Sequence, residues 1–98
     1  MTAREKKILS KTIEIIIENL NPQKIIMFGS RAKGKSTINS DFDLAVDMKR
    51  PDIRTRRIFE EKIYNEVGLY SVDLIYLNSI EKNFRDLVLK TGRVVYER

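Results

Sequence analysis

The sequence predicts an α/β (α+β) domain in which a small mixed sheet is flanked by helices. Three observations lead there. Stretches with helical apolar spacing alternate along the whole chain with short apolar or alternating runs of strand length. The second and third of those runs are separated by about twenty residues that hold a helix, the crossover that parallel neighbours need. The first run leaves at Gly29 into a turn that must return to the second, which makes that pair antiparallel.

Taken in order, Thr2 and Glu5 stand at capping-box spacing, and Leu9, Ile13, Ile16 and Leu20 recur at helical intervals down to the Asn21-Pro22 stop. Residues 24–28, KIIMF, form a buried strand ended by Gly29, followed by a turn or short helix from Ser30 to about Lys35. Residues 41–47, DFDLAVD, alternate as a second strand. Phe42, Leu44 and Val46 share one face; Asp41, Asp43, Ala45 and Asp47 share the other. Asp52 caps a helix that turns Ile58, Phe59, Ile63 and Val67 to the core, with Gly68 at its C-terminal end. Residues 71–77, SVDLIYL, are a third strand. Ser79 is expected to cap a last helix carrying Ile80, Phe84, Leu87 and Val88, and Gly92 ends it before an edge strand at 94–96.

Length and composition narrow the chemistry. Ninety-eight residues, 42% of them hydrophobic, make one folded domain spanning 1–98. A net charge of +5 favours anionic partners without choosing among nucleotides, nucleic acid and acidic proteins. Cysteine and histidine are both absent, which excludes disulfides, Cys/His zinc sites and every histidine-based triad. Any catalysis must run on carboxylates, hydroxyls, lysine or arginine. The aliphatic run Ile15-Ile16-Ile17 is closed off by Glu14 and Glu18, so no signal or membrane span is expected and a cytoplasmic location is.

The strand ends carry the chemistry. Asp41 and Asp43 point the same way with Cα atoms roughly 6–7 Å apart. Partly shielded from water, two such carboxylates repel by about 2–3 kcal/mol at an effective dielectric near 20. A shared divalent cation removes that cost, and with oxygen ligands alone on offer the hard ions Mg²⁺ or Mn²⁺ are indicated. Asp73, from the neighbouring strand, supplies a third carboxylate; two metals held this way activate an attacking hydroxyl and steady a displaced phosphate. At the same end, Gly29 lets backbone approach a phosphate and Ser30 offers a hydroxyl and an N–H. Arg31, Lys33 and Lys35 follow at once. Each feature has a plain counterpart, since a lone D-x-D is usually solvated surface and a lone Gly-Ser usually a turn. Their convergence on one sheet end decides for a site.

Gly29-Ser30, ten intervening residues and Asp41-Phe42-Asp43, within "FGSRAKG…SDFDLAV", resemble the signature of the DNA polymerase β nucleotidyltransferase superfamily, in its minimal nucleotidyltransferase branch. The resemblance covers nearly the whole chain and implies the polymerase β-like fold. It implies that Gly29 and Ser30 hold a nucleoside triphosphate, that Asp41 and Asp43 bind two Mg²⁺ ions (or Mn²⁺), and that Asp73 completes one metal site and helps deprotonate the acceptor. Arg31 falls on an arginine common in the branch and is expected to bind nucleotide; Lys33 departs from the more usual arginine. Minimal members resemble the antitoxin half of toxin–antitoxin modules whose partner is a HEPN toxin, understood to be neutralised by transfer of AMP from ATP to a tyrosine.

Two other readings are weighed against this one. A binding module would occlude its toxin stoichiometrically, which leaves three retained aspartates without a purpose. A nucleic-acid binder would use Arg50, Arg54, Arg56 and Arg57, yet Glu60, Glu61 and Glu66 share that helix and no aromatic stacking platform is evident. Nucleic acid is therefore not expected as a direct ligand.

Overall fold

In the computed structural model, which describes residues 1–34, 41–68 and 70–98, helix α1 (Ala3–Leu20) precedes strands β1 (Lys24–Phe28) and β2 (Phe42–Val46). Helix α2 (Ile53–Val67), strand β3 (Val72–Tyr76), helix α3 (Lys82–Thr91) and strand β4 (Arg93–Glu97) follow. The sheet order is β3-β2-β1-β4. β1 runs antiparallel to β2 and to β4, while β2 and β3 are parallel, so the sheet is mixed as the connection lengths require.

Local signals set the helix ends. The Thr2 hydroxyl accepts the Glu5 N–H and a Glu5 carboxylate oxygen accepts the Thr2 N–H, closing the capping box that starts α1. Asn21 ends it in the left-handed region, at φ 47°, donating its N–H to Ile17. Asp52 caps α2 through the Thr55 N–H at 2.8 Å. The last helix departs from the expected start. Ser79 lies in a 3₁₀ turn, Leu77–Ser79, where its hydroxyl accepts the Arg50 N–H at 2.9 Å, and Glu81 caps α3 instead through the Phe84 N–H.

Alternation in β2 builds two layers. Phe42, Leu44 and Val46 join Ile25 and Met27 of β1 beneath α1 and α2, packing on Ile8, Leu9, Ile15, Ile16, Phe59 and Ile63. Ala45 and Ile26 face the other way, to Leu77 and Val88. Two expectations are corrected by this packing. Ile58 is 57% exposed, because α2 docks through the i, i+4, i+8 ridge Phe59, Ile63, Val67, and its neighbour in sequence falls off that ridge. On α3 only Val88 is buried; Leu87 lies in solvent and the partly exposed Phe84 meets Phe28 edge-on, ring centroids 6.1 Å apart. Among the described residues, no helix is long and apolar enough to cross a membrane.

Candidate active site

The site is built where β1 ends and β2 and β3 begin. Phe28, Asp43 and Asp73 are paired in one row across β1, β2 and β3. Directly paired residues project to the same face, and adjacent strands lie about 4.8 Å apart, so the Asp43 and Asp73 carboxylates are neighbours on the face opposite α1 and α2. Asp41 precedes β2 and is exposed, as is Asp73; Asp43 is half-buried. Burial pushes the Asp43 carboxyl up from its ordinary value, and the charges of Asp73 and Asp41, with a hydrogen bond to Asp73, push it the same way.

The turn after β1 closes onto this row. Gly29 adopts φ +75°, and a Cβ built there would collide with the Asp43 carboxylate, so the turn and the aspartate meet at a point only glycine allows. The Gly29 carbonyl accepts the Lys33 N–H and the Arg31 carbonyl accepts the Gly34 N–H, both at 3.3 Å, which curls 29–34 into a compact turn. Ser30 is half-buried on it and Lys33 is exposed. Lys35 lies outside the described residues.

Arg31 turns inward. Its side chain is fully buried and its guanidinium is ion-paired with Glu5 while lying over the Phe42 ring, 4.0 Å from the centroid. Glu5 is itself buried, one oxygen taken by the Thr2 N–H and the other by Arg31. The Thr2 N–H foremost, then the Arg31 side chain, hold its carboxyl down to about 2. Sequence reasoning missed Glu5 beyond its capping role; the signal it left is an apolar-face position, between Thr2 and Ile8–Leu9, occupied by a charge.

The donor set suits a hard divalent cation, since every group on offer is a carboxylate oxygen and the like-charge crowding that raises Asp43 is what a cation relieves. Among the described residues no three acidic side chains are closed into one chelating cluster, Asp41 standing one residue outside the paired strand. The arginines of the β2–α2 segment are dispersed: Arg50, Arg54 and Arg57 are exposed, while Arg56 is half-buried with its Nε donating to the Pro51 carbonyl at 3.2 Å.

A turn that presents backbone and a hydroxyl beside an acidic row fits the family that the chain matches. The family model "Polymerase beta, Nucleotidyltransferase" matches residues 10–98. The chain is 31% identical over 88 residues to "Probable protein adenylyltransferase MntA" of Haemophilus influenzae, covering 88% of this chain and 77% of the relative. It is 32% identical over 79 residues, 81% of each chain, to a Methanocaldococcus jannaschii protein also named as a protein adenylyltransferase. A crystal structure of a toxin–antitoxin with AMP-PNP superposes with TM-score 0.76 at 27% identity, over 91% of this chain and 73% of that one. A complex of the tri-AMPylated Shewanella oneidensis HEPN toxin with MNT antitoxin shares the fold, with TM-score 0.70 at 23% identity over 95% and 72% of the two chains. The match from residue 10 to the last residue, with both curated relatives above 30% identity, shows that this chain belongs to the polymerase β nucleotidyltransferase family.

Proposed function

We propose that the chain is a cytoplasmic antitoxin that transfers AMP from ATP to a hydroxyl, a tyrosine's, of a HEPN-type toxin encoded beside it. The observation that carries this reading is the contact of the Gly29 turn with Asp43, in the same row as Asp73. It supports a reading in which the turn accepts an anion and the acidic row beside it takes a cation and a proton. The adenylyltransferase names of the relatives and the AMP-PNP in a similar toxin–antitoxin support the nucleotide and the kind of partner.

In this reading Gly29 lets the triphosphate lie against backbone, and the Ser30 hydroxyl and the N–H groups of the turn donate to its oxygens. Asp41, Asp43 and Asp73 would hold two Mg²⁺ ions, or Mn²⁺, which when bound neutralise charge and activate the attacking oxygen. Asp73, exposed on the outer strand, receives the acceptor's proton. The acceptor oxygen bonds to the α-phosphorus, the bond to the bridging oxygen breaks, and pyrophosphate leaves with that electron pair.

The test is incubation of the protein with α-labelled ATP, Mg²⁺ and the product of the adjacent gene. Label on the neighbour that disappears with Asp43→Asn is the expected result. A tight one-to-one complex that silences the neighbour without labelling it would overturn the enzymatic reading and leave an occluding antitoxin.

A further inference from the structure

We propose that Arg31 is a positioning residue: its buried pair with Glu5 fixes the Gly29-Ser30 turn against β2, and it acts on the nucleotide only through that turn. The inference rests on the reading above that Gly29 and Ser30 hold the triphosphate. The resemblance points to a different role, direct contact with phosphate, and the two roles make opposite predictions.

The geometry decides between them. The Arg31 side chain has 0% exposure and Glu5 only 7%, so a guanidinium reaching out to a ligand would leave a carboxylate stranded in the interior. The planar group is engaged on two sides at once, edge to Glu5 and face to Phe42. Phe42 lies between Asp41 and Asp43 in sequence, and Arg31 follows Ser30. One guanidinium thus joins the strand that carries the carboxylates to the turn that carries the hydroxyl. Glu5, oriented by its bond from the Thr2 N–H, ties both to the first turn of α1. Tyr70 backs the other contact of the Phe42 ring, centroids 5.9 Å apart. A shift of this assembly moves Ser30 relative to Asp43, and misplacement of about 1 Å is enough to degrade a preorganised site.

Binding of Mg·AMP-PNP, measured by calorimetry at a temperature where circular dichroism shows each variant folded, separates the roles. Glu5→Gln keeps the shape but removes the countercharge and one of the two accepting oxygens, so it can accept from the Thr2 N–H or from Arg31 but not from both. If Arg31 positions the turn, Kd rises about tenfold, as for loss of a supporting partner. If Arg31 binds phosphate, the released cation leaves Kd unchanged or tighter, and the proposal is overturned. Arg31→Lys supplies the second variant, and the one that decides should Glu5→Gln fail to fold. A point charge serves phosphate but cannot reproduce the planar stack, so binding within twofold of wild type contradicts positioning. Ile16→Val, destabilising in the core about three turns along α1 from Glu5, should leave Kd unchanged; if it raises Kd equally, the effect is general loosening and the proposal fails. Ser30→Ala separates the layers of the argument. If it leaves Kd unchanged, the nucleotide reading of the turn falls; if it weakens binding while Glu5→Gln and Arg31→Lys do not, only the positioning role falls.

Discussion

Asp43 is under two constraints at once, its partial burial beside the like charges of Asp73 and Asp41, and the backbone of Gly29 pressed against its carboxylate. The first makes its ionised form costly in the fold. A carboxyl whose folded value lies above its unfolded one destabilises at pH above the folded value, and that cost vanishes below the unfolded one. Asp43→Asn should therefore leave the melting temperature unchanged or higher at neutral pH, with the difference shrinking on acidification. Transfer should fall by more than the roughly 10–100-fold that outer supports of a metal site cost. A stable Asp43→Asn protein with wild-type turnover in Mg²⁺ would remove Asp43 from the chemistry. On the proposed reading Ser30→Ala should be milder, because one hydroxyl bond to phosphate, worth about 1.5–3 kcal/mol, would be lost while the backbone donors stay. ATP saturation kinetics report it, as a fall in kcat/KM.

Helix α1 shows how much of an element a sequence reveals. Its capping box is local, three residues apart, and Thr2 and Glu5 announce it. The second task of Glu5, twenty-six residues away at Arg31, has no local signature, since it exists only after the turn has folded back over β2. The same split marks the start of α3, where Ser79 and Glu81 both offer oxygens: Glu81 accepts the Phe84 N–H, while Ser79, in the preceding 3₁₀ turn, accepts the distant Arg50 N–H. It also explains Ile58, whose apolar character fits the helix period while the docking ridge is set by the partner surface. β2 was legible in its middle, because a period of two fixes both faces, Phe42, Leu44 and Val46 on one and Asp43 and Ala45 on the other; Asp41 and Asp47, expected within the strand, fall one residue outside its ends. The Glu5 pairing has a pH signature. Its folded value, near 2, lies below the ordinary 4.5, so its stabilisation is complete above 4.5 and is lost as pH falls toward 2. Thermal melts of wild type and Glu5→Gln should converge over that window. Parallel curves would mean that the Glu5 carboxylate, held by the Thr2 N–H foremost and by Arg31, contributes no pH-dependent stability.

On the proposed reading the molecule as a whole divides its labour between neighbouring strands, and the division can be tested. The β1 turn and the start of β2 supply Gly29, Ser30, Asp41 and Asp43, whereas Asp73 stands exposed on β3, an edge strand of the sheet. On the proposed reading, an acceptor on a partner protein would meet Asp73 at this open edge, apart from a nucleotide held by the turn. Asp73→Asn should spare most Mg·ATP binding, yet cut transfer sharply, because the acceptor hydroxyl loses its proton acceptor and its nearest cation ligand. Calorimetry and a transfer assay on the same variant would show the two parting company. Neutralisation of the partner at substoichiometric protein adds the decisive comparison. Wild type should silence many equivalents and Asp73→Asn no more than one. If the variant still works at catalytic ratios, Asp73 has no part in the chemistry; if wild type itself needs one-to-one, protection comes from occlusion.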